Sequence, residues 1–106
     1  MSRYARRTDT THAPIRDELR RVFGTDAVLD TSAYPDFVDL VICVRSRVLL
    51  GECKTPRNRS GTVTQSQIKD SQRALLASWG SDVVLMLTSP EQAVAAVSEA
   101  LARRPT

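Results

Sequence analysis

The chain has 106 residues, which is enough for one domain but too few for two separate hydrophobic cores. Hydrophobic residues make up 42% and charged residues 25%, which is the balance of an ordinary globular domain. No run approaches the roughly 18 consecutive apolar residues of a membrane helix. The start is basic but no apolar run follows it, so it does not have the pattern of a secretory signal and predicts a cytoplasmic protein.

The charge of the chain is positive and unevenly distributed. The net charge is +3, and the first segment carries Arg3, Arg6, Arg7, Arg16, Arg20 and Arg21. Such clusters attract phosphates. On charge alone, a nucleic-acid partner and a merely solvated basic surface are equally good interpretations.

The cysteines and the histidine do not indicate a zinc site. Cys43 and Cys53 fall on opposite faces of a predicted sheet, so we expect them to be reduced, small core residues. His12 is expected to be exposed on an N-terminal arm. Two cysteines and one histidine are too few ligands, and wrongly spaced, for structural zinc.

The first half of the chain predicts a helix followed by three strands. Residues 1–12 lack hydrophobic periodicity and are expected to form a flexible basic arm, which leaves 13–106 as a single domain. Pro14 suits the first turn of a helix that Gly24 ends. A short strand is expected at 27–29, and longer apolar strands at 37–44 and 47–54.

The second half predicts a helix, a buried strand and a final helix. Residues 55–62 are polar and form a loop, and a helix from about 63 to 78 follows, ended by Gly80. A strand over 82–88 precedes Ser89, the expected cap of a last helix that buries Val94, Val97 and Leu101. The order αβββαβα predicts an α/β domain around one mixed sheet.

Two of the predicted strands bring carboxylates together. If Arg45-Ser46 is a two-residue hairpin turn, Asp39 lies directly opposite Glu52. Opposed like charges are destabilising, so the pair needs a cation. Hard oxygen ligands with positions left for water and phosphate describe a Mg²⁺ or Mn²⁺ site. Arg-Ser is, however, a poor pair for such a turn.

Lys54 extends this constellation. It lies two residues beyond Glu52, on the same face of the strand, where it can orient or deprotonate a water or stabilise charge on a phosphate. Gly51 would let a backbone or ligand approach closely. A lone Glu-x-Lys is common on strands and is usually structural, but burial of three charges in an apolar hairpin is costly without a purpose. The pattern therefore indicates metal-assisted hydrolysis of a phosphodiester.

Two stretches carry a family resemblance: Pro35-Asp36-Phe37-Val38-Asp39 and Glu52-Cys53-Lys54. Together they resemble the signature of the PD-(D/E)XK nuclease superfamily. Ser71-Gln72, on the following helix, is similar to the glutamine motif of its VRR-NUC branch. That branch includes small stand-alone phage proteins similar to Holliday junction resolvases, which would act in the host cytoplasm. The resemblance extends from about Pro14 to Thr88. It implies a restriction-endonuclease-like fold, dependence on Mg²⁺ or Mn²⁺, DNA as the substrate and a homodimer.

The resemblance also implies roles for individual residues. Asp39 and Glu52 would ligate the metal together with the backbone carbonyl of Cys53, and Lys54 would be the catalytic lysine. Gln72 would help to position the attacking water or the phosphate. Glu18 is the candidate for the glutamate that many members place on the first helix. Asp36, in the Pro-Asp pair itself, is the alternative to Asp39. Phosphate contacts are expected from Arg57, Arg59, Lys69 and Arg73.

The sequence leaves other functions open. The leading prediction is a DNA endonuclease, acting on branched or junction DNA. The alternatives are a nuclease-fold domain that binds nucleic acid or protein without cutting, and a small α/β subunit of a larger assembly. For Gln72 itself, the alternative to a functional role is an ordinary surface glutamine.

Overall fold

The computed structural model describes residues 10–35, 37–56, 63, 70–79 and 84–103. Within these ranges the elements follow the predicted order αβββαβα. In chain order they are helix α1 (His12–Phe23), a 3-10 turn (Thr25–Ala27), strand β1 (Val28–Asp30), strand β2 (Leu40–Val44), strand β3 (Arg47–Cys53), helix α2 (Asp70–Trp79), strand β4 (Val84–Leu87) and helix α3 (Pro90–Ala102).

The four strands form one mixed sheet in the order β1-β2-β3-β4. The first three are antiparallel neighbours, whereas β4 runs parallel to β3. A parallel neighbour requires a crossover connection rather than a tight turn, and the segment that contains α2 provides it. The prediction of an α/β domain around one mixed sheet is therefore confirmed.

The turn between β2 and β3 has the predicted two residues. Arg45 and Ser46 both have positive φ, 54° and 66°, as the primed hairpin turns require. Val44 pairs with Arg47 and Leu40 with Gly51, so the register is the one that this turn dictates. Because a slip of one residue would move every apolar side chain to the other face, burial fixes the register even though Arg-Ser is a poor turn sequence.

One face of the sheet packs against α1 and α3. Alternate residues of each strand point to this face and meet the apolar stripes of the two helices. The fully buried members include Ile15 and Leu19 of α1, Leu40 and Ile42 of β2, Leu49 and Cys53 of β3, Leu87 of β4, and Ala93, Val97 and Ala100 of α3.

The other face packs against α2 around a smaller cluster. Val38, Leu50 and Val84 are buried there, and Phe37, Val41 and Leu76 pack against them. Because Leu50 and Glu52 are two residues apart on β3, this is also the face to which Glu52 points.

Side chains of α3 and β3 connect the last helix to the sheet. Ser89 caps α3 by accepting a hydrogen bond from the backbone N–H of Gln92, as predicted, with Pro90 in the first turn. The Gln92 side chain accepts from the N–H of Thr88 and donates to the carbonyl of Met86. At the other end of α3, the guanidinium of Arg47 donates to the carbonyls of Ala100, Leu101 and Arg103.

Several predicted boundaries shift. Regular pairing in β2 begins at Leu40 rather than at residue 37, and β1 occupies 28–30 rather than 27–29. Helix α1 begins at His12, which the sequence had placed on the arm. Residues 1–9 of that arm, 64–69 of the predicted second helix and 80–83 before β4 lie outside the described residues.

The burial of several side chains also differs from the sequence prediction. His12 is buried, at 4% exposure, rather than exposed on an arm. Cys43 is exposed, whereas Cys53 is a buried core residue as expected, and neither forms a disulfide. Among the aromatic side chains, Tyr34 and Trp79 are exposed. In α3 the small residues Ala93 and Ala100 are buried together with Val97, whereas Val94 and Leu101, which were predicted to be buried, are only partly buried.

Gly51 is required by packing within the core and not by a ligand. A Cβ built on Gly51 would lie 2.7 Å from Cδ1 of Leu87 and 3.3 Å from Cδ1 of Ile42. Both neighbours are fully buried, so neither can move into solvent. The close approach expected at Gly51 is therefore made by core side chains, on the face of the sheet that packs against α1 and α3.

Gly51→Ala should lower the free energy of unfolding by about 1–3 kcal/mol, because an added methyl overpacks the core against Leu87. Denaturant unfolding of the purified variant measures this change. The double variant Gly51→Ala/Leu87→Val, which removes part of the obstructing side chain, should cost less than the sum of the two single changes. Strict additivity would show that the glycine is not held by this contact.

Candidate functional site

Asp39 lies just before β2 and turns its carboxylate toward β3. Its backbone N–H donates to the carbonyl of Gly51 at 3.0 Å, and its carbonyl accepts from the N–H of Thr31 at 2.8 Å. The Oδ2 atom accepts a hydrogen bond of 2.8 Å from the backbone N–H of Cys53. Asp39 is only 5% exposed. The segment is thus bonded to β3 on one side and to Thr31, the residue that follows β1, on the other.

The ladder does not extend to the predicted Asp39–Glu52 pair. The last paired positions are Leu40 and Gly51. The backbone N–H of Asp39 also donates to the carbonyl of Gly51, so the pairing does not continue to Glu52. The Asp39 carboxylate therefore contacts β3 through the backbone N–H of Cys53, the residue between Glu52 and Lys54. Asp39 does not face Glu52 directly. The carboxylate is still brought to the strand that the sequence indicated.

Glu52 is the most deeply buried ionisable side chain of this group. It is 2% exposed and pairs with Met86 of β4 in the parallel part of the sheet. Its Oε2 atom accepts a hydrogen bond from the side-chain amide of Gln72. The ammonium of Lys54 lies 3.8 Å from the same oxygen. A carboxylate so buried has to be compensated by donors and positive charge from the protein.

Lys54 leaves the end of β3 on the face that alternation predicts. Its backbone N–H donates to the carbonyl of Leu87 at 2.9 Å, which continues the pairing with β4 one residue beyond the strand. Only 13% of its side chain is exposed. The backbone bond fixes the start of the side chain, and the Glu52 carboxylate attracts its charged end.

Gln72 is brought to the site by α2. It is 7% exposed, so the alternative of an ordinary surface glutamine is wrong. The sequence placed this amide on an apolar stripe where it would need a partner, and that partner is Glu52. Leu76, one turn further along, packs into the cluster around Leu50.

This arrangement offers hard oxygen donors around one end of β3. Asp39 and Glu52 supply two carboxylates, the backbone carbonyl of Cys53 follows Glu52 directly in the chain, and the side-chain amide of Gln72 contacts Glu52. Mg²⁺ is commonly held by one or two carboxylates, with water and substrate phosphate completing its shell, so this donor set fits the ion. In the part of the chain that the structure describes, no three His, Cys, Asp or Glu side chains converge as a closed metal site.

Glu18 is not brought to this cluster. Both of its carboxylate oxygens accept hydrogen bonds of 2.7 Å from Arg21, and these bonds hold the pKa of the Glu18 carboxyl below its ordinary value. Helix α1 packs on the opposite face of the sheet from Glu52. The expected contribution of Glu18 to the site therefore has no support in the contacts of this helix.

The remaining predicted residues divide into two groups. Arg73 is exposed on α2 beside Gln72, a position suited to contact with a phosphate backbone. The alternative ligand and the other predicted phosphate contacts lie outside the described residues: Asp36, Arg57, Arg59 and Lys69.

A second polar cluster, which is half-buried, was missed by sequence reasoning. Oδ2 of Asp30 accepts a 3.0 Å hydrogen bond from Arg16, and Oδ1 accepts from both the N–H and the hydroxyl of Ser32. Nε2 of the buried His12 lies 3.2 Å from the same Oδ1. The available signal was the spacing of His12 and Arg16, which share one side of a helix. Burial raises the pKa of Asp30, but the Ser32 and Arg16 hydrogen bonds and the charge of His12 outweigh it and lower that pKa to about 2.

Comparison of the chain with family models, curated proteins and solved structures gives no match. Among the helices that the structure describes, none combines the length and the apolar character needed to cross a membrane.

The Asp30 cluster predicts loss of stability in acid. A carboxyl whose pKa is lowered by folding stabilises the protein above its unfolded pKa, and this contribution disappears as the pH falls from about 4 through about 2. With a quarter of the side chain exposed, we expect roughly 1–2 kcal/mol from this group. Asp30→Asn should therefore flatten the decline of unfolding free energy between pH 4 and pH 2, measured by urea unfolding.

Asp26→Asn, at an exposed aspartate of the neighbouring 3-10 turn, is the matched control. If the two variants have the same pH profile in that range, the Asp30 cluster does not carry the acid sensitivity.

Proposed function

We propose that this protein is a Mg²⁺- or Mn²⁺-dependent nuclease that hydrolyses phosphodiester bonds of DNA. One observation carries the proposal: the Asp39 carboxylate accepts a hydrogen bond from the peptide N–H of Cys53, the residue between Glu52 and Lys54. Two acidic groups and a lysine from separate parts of the sequence thereby meet at the end of one strand. The Glu52–Gln72 bond adds the fourth side chain that the sequence singled out.

The topology supports the same conclusion. Three antiparallel strands, a crossover that contains α2 and a fourth, parallel strand make the αβββαβ arrangement that the PD-(D/E)XK resemblance implies. We therefore propose that the chain has a restriction-endonuclease-like core. The site lies on the face of the sheet that α2 covers, where β3 ends.

Each residue of the site has a distinct task in this mechanism. Asp39 and Glu52, with the carbonyl of Cys53, would hold the divalent ion, which supplies Lewis-acid charge to the phosphate oxygens when bound. The Lys54 ammonium would donate to the phosphate and stabilise the negative charge that develops on it, or orient the attacking water. Gln72 would hold the Glu52 side chain in place, and so would help to position this metal ligand.

The substrate and assembly are part of the proposal. The net charge of +3 and the exposed Arg73 beside Gln72 are suited to a polyanion. DNA, in branched or junction form, and a homodimer that cuts two strands are expected from the family resemblance.

A second candidate is a domain of the same fold that binds nucleic acid without cutting it. The observation in its favour is that Glu52 already has a donor in Gln72 and a positive charge in Lys54. A carboxylate compensated in this way can persist as a structural element without any metal. Cleavage assays distinguish the two functions.

Lys54→Ala should reduce metal-dependent DNA cleavage by about two orders of magnitude or more, because a group that stabilises the developing charge is lost. The assay uses four-way, flap, duplex and single-stranded DNA with Mg²⁺, Mn²⁺ or EDTA, and EDTA should abolish cleavage. Cleavage by Lys54→Ala at the wild-type rate would sink the mechanism. Absence of cleavage of every DNA form in Mn²⁺ would favour the binding domain.

Asp39→Asn should weaken Mn²⁺ binding, measured by isothermal calorimetry, at least tenfold, because the amide removes one of two anionic ligands. Asp36→Asn is the matched comparison, three residues earlier in the same segment, and should retain the wild-type affinity. The opposite result would show that the Pro35-Asp36 pair is the better match to the family signature and that Asp39 is structural.

A further inference from the structure

We infer that Trp79 is a stacking platform for an unpaired base of the DNA strand that binds at the site. The preferred substrate is then single-stranded DNA, or branched DNA with a single-stranded arm, rather than continuous duplex. This inference rests on the proposed function, since it takes the end of β3 as the place where DNA binds. It is drawn from the exposure of the indole, its position on α2, the contact that holds it and the charge around it.

Trp79 presents a large aromatic ring to solvent. Tryptophan side chains are on average highly buried, yet Trp79 is 49% exposed. It is the largest of the exposed hydrophobic side chains among the described residues, the others being Val22, Leu29, Tyr34 and Val48. A flat aromatic surface left open to water gains free energy when another flat, weakly hydrated ring covers it. The bases of nucleic acids are such rings.

Helix α2 connects Trp79 to the site. Gln72, Leu76 and Trp79 stand at i, i+4 and i+7 and so share one stripe of the helix. Gln72 contacts Glu52, and Leu76 packs in the smaller core cluster. Seven residues at a rise of about 1.5 Å place Trp79 about 10 Å along the helix axis from Gln72. A B-form strand, at about 3.4 Å per nucleotide, covers that length in about three nucleotides. A strand with a phosphate at Lys54 therefore has bases within reach of the indole.

Phe37 supports the indole without stacking on it. The two ring centroids are 6.1 Å apart and the ring planes are at 72°, which is an edge-to-face contact. Phe37 is itself partly buried against the cluster of Val38, Leu50 and Val84. A perpendicular contact covers at most one face of the indole, so a base can still stack on the other. Because the ring is supported before DNA binds, stacking costs less conformational entropy.

The charge around Trp79 favours a nucleic acid over an uncharged partner. Arg73 is exposed on the same helix, Lys54 lies at the end of β3, and the net charge of the chain is +3. Proteins that bind single strands combine positive charge along the phosphates with aromatic rings under the bases. In continuous duplex each base is already paired and stacked, and extruding one costs free energy. An unpaired strand is therefore the ligand that gains most from the indole.

The experiment measures binding of dye-labelled DNA to the full chain by fluorescence anisotropy, in EDTA so that no DNA is cut. The probes are a duplex with a single-stranded arm, the same DNA with an abasic arm, and a continuous duplex. Wild type should bind the arm with bases about tenfold more tightly than the abasic arm, which keeps the phosphates but removes the stacking rings. An unlabelled arm with bases should also quench the emission of Trp79, the one tryptophan of the chain.

Three variants test the role of the ring. Trp79→Leu should bind both arms equally, with the affinity that wild type has for the abasic arm. Trp79→Phe should keep part of the preference for bases, because a smaller ring still stacks, and it guards against a variant that does not fold. Val22→Ala, at a 42% exposed apolar side chain of α1 on the other side of the sheet, is the matched control and should bind as wild type does.

A preference for bases in Trp79→Leu as large as in wild type would overturn the platform. An equal loss of affinity for both arms would overturn it too, because the indole would then contact something other than a base. A retained preference together with a changed oligomeric state in light scattering would assign Trp79 to a protein–protein contact instead.

Cleavage assays with Mg²⁺ or Mn²⁺ separate this inference from the proposed function. Base-dependent binding by a wild-type protein that cuts no DNA would refute the nuclease and retain the platform. Cleavage by a wild-type protein that binds both arms equally would retain the nuclease and refute the platform. Absence of binding to all three DNAs would overturn both.

Discussion

Burial of the Glu52 carboxylate is the constraint around which the α2 side of this domain is organised. An ionised group removed from water carries a penalty of several kcal/mol unless donors and opposite charge surround it. The protein supplies an amide from α2 and an ammonium from the end of β3. Two parts of the domain, helix α2 and the end of β3, therefore meet at this one charge.

Strand β3 can hold such a group because the sheet supports it on both sides. It pairs with β2 in the antiparallel sense and with β4 in the parallel sense, so its backbone is bonded along both edges. Its successive side chains point to opposite faces of the sheet. Gly51 and Cys53 pack toward α1 and α3, whereas Glu52 and Lys54 belong to the site. A change on one face of β3 therefore acts on the other through a common backbone.

Sequence reasoning succeeded where local rules decide the outcome. The two-residue turn at Arg45-Ser46, the register it sets and the Ser89 cap depend on neighbouring residues, and the structure has all three. The need of Gln72 for a partner was also predictable, because a polar amide on an apolar stripe must be satisfied. Local rules therefore predicted the β2–β3 register and the requirement of Gln72 for a hydrogen-bond partner.

The failures share a tertiary cause. Extrapolation of the hairpin register to Asp39 and Glu52 failed because the Asp39 backbone bonds to Gly51 and Thr31 instead of continuing the ladder. Exposure of Cys43 depends on how much of a sheet face a helix covers, which periodicity within a strand does not reveal. His12 lies beside Asp30, which is distant in sequence and becomes its neighbour only when α1 packs against β1.

The Gln92 side chain has a consequence for how copies of this protein can associate. Strand β4 is at the border of the described sheet, where unpaired peptide groups invite strand addition from another molecule and, eventually, aggregation. The Gln92 amide imitates a neighbouring peptide by bonding to Met86 and Thr88, and so occupies the groups that an incoming strand would use. A dimer built by joining sheets through β4 would first have to displace this side chain. Association through helices or through the opposite border of the sheet meets no such obstacle at Gln92.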